Sequence, residues 1–353
     1  MRAVLGLLAF AAASAAQTPS PALLVLEKAD NILAIVDPAT LKIVARVPAG
    51  LDPHEIECSA DGKFAYISNY GGLDSSLNTI TVVDLAAQKP LAAINLGALH
   101  SPHGLFFGGG KLYFTAETSK TVGRFDPAAQ SIDWVMGTGQ DRTHMVVVSG
   151  AQDRVFTSNV SSGTISIIEQ VAPQTPAGPP PGAPPAGAPP SPAGGGQRKT
   201  WRITNVPAGR GSEGFDLSPD GKEVWVANAG DGTVTVIDVA SKKAVQTFAI
   251  AVRGNRLKFT PDGKRILVAG TPSASLANPD ATLVVLDAST HKEIKRLDLG
   301  GFSNGILMAG SSRAFVAVSA KDKVVVLNLQ TLEVTDTIVT GKGPDGLAWA
   351  GGK

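Results

Sequence analysis

Seven times along this chain a single polar residue opens a short apolar run, and the spacing between these openings is nearly regular. The residues are His54, His103, His144, Glu213, Asn255, Asn304 and Asp345, separated by steps of 49, 41, 69, 42, 49 and 41 residues. The clearest copy lies between Val206 and Phe248. Glu213–Leu217 is a short strand, the turn Ser218-Pro219-Asp220-Gly221 follows, and Glu223–Ala227 is a second strand. Gly230-Asp231-Gly232 turns the chain again, Thr233–Val239 alternates in period two, and Ala244–Ile250 is a fourth strand. Four short antiparallel strands in about 42 residues cannot bury their own faces, so the unit must stack on copies of itself. A period of 40–45 residues with four strands per unit is that of propeller blades and not of helical repeats.

The ends of the chain complete the count. Leu23–Glu27, Ile32–Asp37 and Ile43–Val47 read as second, third and fourth strands with no first strand before them. Asp345–Trp349 reads as a first strand with nothing after it. One blade assembled from both ends closes a ring and removes the exposed sheet edges of an open array. The expectation is an all-β, seven-bladed β-propeller with N-terminal/C-terminal strand closure of one blade, a single domain over residues 17–353.

Two segments stand outside the repeat. Residues 1–16 read as a secretory signal peptide: Arg2, an apolar core over Val4–Ala13, then small residues before Gln17. The apolar run is too short to span a membrane, so a periplasmic or secreted bacterial protein is expected. Residues 173–197 are rich in Pro, Gly and Ala, a composition that favours extended polyproline and coil. The tract falls between a third and a fourth strand, which makes it a disordered loop inserted within one blade and accounts for the long step of 69 residues.

Composition narrows the function classes. The net charge is +1, with no basic stripe interleaved with aromatics, which argues against nucleic acid as a partner. Cys58 is the only cysteine, so internal disulfides and cysteine-based zinc sites are excluded, and its apolar strand context predicts a buried structural thiol. Gly209–Gly214 fits G-x-G-x-x-G and Gly301–Gly305 fits G-x-S-x-G, but neither leads from a strand into a helix, as the chemistry of those motifs demands.

The units resemble the YVTN family of bacterial β-propeller repeats. The tetrapeptide appears as Tyr66-Ile67-Ser68-Asn69, Phe156-Thr157-Ser158-Asn159 and Trp225-Val226-Ala227-Asn228, the turn that precedes it in the repeat appears as SADG, SPDG and TPDG, and the likeness covers Leu23–Ala350 apart from the Pro-rich tract. Later copies, Leu267–Gly270 and Phe315–Val318, lack the Asn. The resemblance implies an exported propeller. Relatives on this architecture include proteins proposed to bind partners or nucleic acid, lactone hydrolases and cofactor carriers, so the resemblance does not select a function.

The first strand of a propeller blade lines the central channel, so the seven register residues should converge. His54, His103, His144 and Glu213 follow one another on successive blades, a donor set suited to a divalent metal with an open position. Glu55 is placed to orient His54. Asn255, Arg256, Asn304, Asp345 and Arg142 are the candidate ligand-binding residues. A water-filled polar channel with no metal uses the same residues. His100 and His291 fall in turns and are expected to be solvated. The sequence therefore supports a monomeric protein that binds a small molecule or a protein partner through its channel and loop face. Its alternative is a metal-assisted hydrolase or lyase with Asp345 or Glu55 as base.

Overall fold

The computed structural model describes residues 17–172, 200–250, 252–271 and 282–351. These form seven antiparallel sheets in a ring. Numbered by their register residues, blades 1 to 6 start near His54, His103, His144, Glu213, Asn255 and Asn304, and a closing blade joins the two ends of the chain. Pro344–Ala350 pairs with Ala22–Glu27, setting Leu23 opposite Trp349 and Val25 opposite Leu347. The seven-bladed ring and its closure by strands from both termini are as the repeat arithmetic requires. Residues 1–16 and 173–199 lie outside the described residues. The strands flanking the second of these, Thr164–Val171 and Thr200–Pro207, are neighbours in one sheet.

Apolar alternation gives each blade two buried faces, and the core lies between blades. Leu24, Leu26 and Ile35 of the closing blade meet Ile56, Ile67 and Val83 of blade 1. Such layers recur around the ring. Each fully buried Leu, Ile or Val contributes about 1.5–3 kcal/mol. Cys58 is partly buried against the first of these layers.

The asparagine of the tetrapeptide is a structural device. Asn159 Nδ2 donates to Thr164 Oγ1 at 3.0 Å and Ser166 Oγ at 2.9 Å, and Asn228 Nδ2 donates likewise to Thr233 and Thr235. Asn69 accepts from Thr79 and Thr81. In each case the second strand is tied to the third.

Two boundaries differ from the sequence reading. The outer strand of blade 1 is not the single run that the repeat calls for; it is split into Lys89–Pro90 and Ile94–Asn95. Pro90 has no N–H to continue the ladder, and the residues between bend away, lining a side cavity of about 960 Å³ against blade 2. In blade 6 the inner strand is Ile306–Ala309, so Asn304 precedes it and is held by its own N–H, which donates to the Ala317 carbonyl at 2.8 Å.

Candidate functional site

The inner strands are bulged where the register residues sit. Pro53 pairs with Asn69 and Ile56 with Ile67, so His54 and Glu55 together oppose Ser68. The same two-against-one arrangement occurs at His103, His144, Glu213 and Asp345. A bulge frees ladder groups and re-aims a side chain. Ser or Thr on the second strand takes up the freed groups: Thr115 Oγ1 accepts from Gly104 N at 2.8 Å and donates to the His144 carbonyl at 2.5 Å. Ser158 does the same between Met145 N and the Glu213 carbonyl. Adjacent inner strands thereby approach closely, and glycine follows the register residue at 104, 214, 305 and 346. A Cβ on Gly104 would stand 2.5 Å from the His144 carbonyl oxygen, and one on Gly305 2.2 Å from that of Asp345.

The three channel histidines are in mutual ring contact. His54 meets His103 edge-on at 4.3 Å between centroids, and His103 lies 3.6 Å from His144. His103 is wholly buried, and among the described residues neither of its ring nitrogens has a hydrogen-bond partner. Burial, reinforced by His144, His54, Arg256 and Lys28, pushes its pKa well down and holds it neutral.

His144 is gripped from both sides. Nδ1 bonds Glu117, and Nε2 faces Glu213 Oε1 at 3.5 Å. Burial opposes its charge, but the two carboxylates outweigh burial and raise its pKa. Glu213 feels the reverse: burial pushes its carboxyl up, yet His144, Arg256 and Asn255 bring it to about 2. Glu117 is fully buried, accepts the Tyr70 hydroxyl at 2.5 Å, and has Arg142 at 3.6 Å. Desolvation raises its pKa, and His144, Tyr70 and Arg142 more than reverse that.

The seven register residues thus divide into unequal groups. His54 bonds Asp345, with Lys28 Nζ 2.9 Å from the same ring nitrogen. Asp345 also accepts from Asn304 Nδ2. Burial works against its charge, and His54, Lys28 and Arg256 hold the carboxyl below its ordinary range. Glu213 accepts from Asn255 Nδ2 at 3.0 Å. Glu55 does not orient His54; it is engaged instead by Arg256, a buried guanidinium that donates to its carboxylate. Arg142 lies beside Glu117. His103, His144 and Glu117 have one donor atom each within 4.8 Å of the others, a His/Glu/His set that can hold a metal ion.

Three residues of this site escaped the sequence reading: Lys28, Tyr70 and Glu117. All occupy one repeat position, the residue after the second strand, which follows Glu27, Asn69 and Ala116. A second tier of inward positions was therefore available from the repeat alignment. His291, expected to be solvated, stacks on Phe248 at 5.6 Å and meets Trp225 edge-on, because the turn carrying it folds onto the neighbouring blade.

Above the cluster lies a pocket of about 380 Å³ at the channel mouth, lined among others by Lys28, His54, Glu213, Arg256, Asn304 and Asp345. Its two amides are fixed in orientation, since each donates to a carboxylate. Their oxygens, Asn255 Oδ1 and Asn304 Oδ1, are buried and have no hydrogen-bond partner among the described residues.

No protein-family model and no curated protein sequence matches this chain. Among solved structures it is similar to a functionally unknown protein from Desulfotomaculum acetoxidans, at 11% identity over 95% of this chain and 100% of that one, with a TM-score of 0.71. It is also similar to the periplasmic gluconolactonase of Pseudomonas aeruginosa, at 15% identity over 94% and 99% of the two chains and a TM-score of 0.66. Hydrazine synthase of Kuenenia stuttgartiensis matches at 20% identity over 84% and 89%, with a TM-score of 0.62. At these identities the likeness is one of fold.

Proposed function

We propose that this chain is an exported, YVTN-type propeller that binds a small polar ligand at its channel mouth. The observation that carries the reading is the pair of buried, unpartnered amide oxygens on Asn255 and Asn304. A buried acceptor without a donor costs roughly 1–3 kcal/mol, and a ligand bearing hydroxyl or ammonium groups would supply the donors. Glu213 and Asp345 add charged acceptors to the same wall; against the cost of burial, His144 and Arg256 keep the first ionised, and His54, Lys28 and Arg256 the second. The reading for Met1–Ala16 as a leader supports action outside the cytoplasm.

Calorimetric titration of the mature protein with small polyols and small amines tests this reading. One class is expected to bind, and to lose at least about tenfold in affinity in Asn304→Leu, where the unpaired acceptor is gone. Heat from neither class, or binding unchanged in Asn255→Leu and Asn304→Leu alike, would refute it.

A second reading, a metal-assisted hydrolase of the lactonase kind, draws support from the His103, Glu117 and His144 cluster. Asp345, paired with His54, would be its proton acceptor, since Glu55 is engaged by Arg256. Turnover of simple lactones by the metal-loaded protein, lost in Asp345→Asn, is the result this reading requires.

A further inference from the structure

We infer that the channel floor is a mononuclear site for a first-row divalent transition metal, held by His103, His144 and Glu117, with Glu213 as the outer partner of His144. The inference deepens the metal-based reading but requires no reaction. It stands on His103, which is wholly buried and whose two ring nitrogens have no hydrogen-bond partner among the described residues. A buried imidazole of this kind normally bonds through at least one nitrogen. Here polar groups lie close by, and none of them satisfies it.

The surroundings supply the rest of a coordination shell. His103 and His144 are in ring contact at 3.6 Å, and Glu117 bonds His144 Nδ1. One donor atom from each of the three lies within 4.8 Å of the others. Bonds of 2.0–2.1 Å at tetrahedral angles put donors about 3.3 Å apart, so the three side chains would draw together to close the set on an ion. Ligation through His144 Nδ1 leaves Nε2–H directed at Glu213 Oε1, now 3.5 Å away. That is the carboxylate–histidine–metal arrangement by which proteins fix a ligating ring. On the other side, Tyr70 donates to Glu117 Oε2 at 2.5 Å, leaving Oε1 for the ion.

The donor chemistry selects the metal class. Two imidazoles and one carboxylate suit zinc or iron(II) with positions left open, whereas calcium and magnesium want oxygen shells. His54, which meets His103 edge-on, also lines the mouth pocket, so an ion held by this set would lie one ring away from the small-molecule pocket. The set also differs from the one suggested by the repeat register alone: Glu117 enters as a ligand, Glu213 moves outward, and His54 is committed to Asp345.

The test uses the mature, untagged chain, stripped with chelator and titrated with Zn²⁺ and with Co²⁺ as a spectroscopic probe. The expected result is one ion per chain and a cobalt spectrum of low-coordinate nitrogen and oxygen ligation. Stoichiometric binding should vanish in His103→Ala and in Glu117→Gln. Glu213→Gln, which touches only the outer face of His144, should weaken binding roughly 10–100-fold. His100→Ala and His291→Ala, outside the channel, should bind as the parent does. Circular dichroism of each variant, with and without Zn²⁺, separates loss of ligation from loss of fold: a folded Glu117→Gln that gains no thermal stability from Zn²⁺ supports the site. No binding by the parent, or binding that survives in folded Glu117→Gln and His103→Ala, overturns it. Absence of metal would leave the polyol and amine titrations of the mouth pocket unaffected, so the two proposals fail separately.

Discussion

Tyr70 donates its hydroxyl to Glu117 at 2.5 Å, and the two residues hold the same position in successive blades, one step past the end of the second strand. The bond therefore joins two copies of one repeat position across a blade boundary. It also ties the tier above the channel to the buried cluster, because Glu117 in turn bonds His144.

Removing that hydroxyl should be costly. Hydrogen bonds to charged groups contribute about 1.5–3 kcal/mol, and Tyr70 is almost fully buried, in stacked contact with His54. Tyr70→Phe keeps the ring and deletes the donor to the Glu117 carboxylate. Urea denaturation should show a loss of about 2 kcal/mol with an unchanged m-value. A neutral result would mean that water replaces the hydroxyl.

The close approach of neighbouring inner strands gives a second expectation. A Cβ at Gly104 would stand 2.5 Å from the His144 carbonyl oxygen and 2.7 Å from Met145 Cα. Backbone cannot yield as a side chain can, and overpacking of this kind costs about 1–3 kcal/mol. Gly104→Ala should lower the melting temperature accordingly. Gly137, whose added Cβ meets nothing within 4 Å, is the control; Gly137→Ala should be neutral or slightly stabilising, through the unfolded chain.

The blade count, the closure and the inward ring were legible because each is a matter of period and parity. Seven register residues with only six complete units leave one blade to be made from the two ends. What the register could not supply was direction. The bulge at His54 and Glu55 sends consecutive residues to different partners, Asp345 and Arg256, and no alternation rule marks it. Glu117 was hidden for a related reason. Its repeat position holds Val160 and Ala229 in later blades, so it looks like a loop residue unless the blades are aligned at the end of the second strand.

The Asp345 carboxyl sets a pH dependence whose sign can be stated. Burial raises its pKa, but His54, Lys28 and Arg256 lower it more, so the folded value lies below the unfolded one. A depressed acid contributes stability that is present above the unfolded pKa of about 3.9 and lost as pH falls through the folded value. Asp345→Asn removes a buried partner of His54, a change that costs roughly 3 kcal/mol at neutral pH. Chemical denaturation from pH 7 down to pH 2 should therefore show a gap between parent and variant that is wide at neutral pH and narrows below about pH 4. A gap that stays constant across the range would mean that the substitution acts through packing alone.

Closure by the last strand yields the strongest expectation. A chain ending at Gly343 lacks Pro344–Ala350, the inner strand of the closing blade. Ala22–Glu27, buried along its whole length, then loses one of its two neighbours and presents a row of unpaired backbone groups. Leu347 and Trp349 leave the core layer shared with Phe315, and Ala348 and Ala350 leave the one shared with Ile56. At about 1.5–3 kcal/mol for each large side chain, the loss approaches the 5–15 kcal/mol that keeps a typical domain folded. The truncated chain should lose its cooperative melt and, through its exposed edge, self-associate in light-scattering measurements. A synthetic peptide of residues 344–350 should restore the monomer by strand addition. A truncated chain that stays monomeric and melts as the parent does would show instead that the blade interfaces, without the closing strand, hold the ring together.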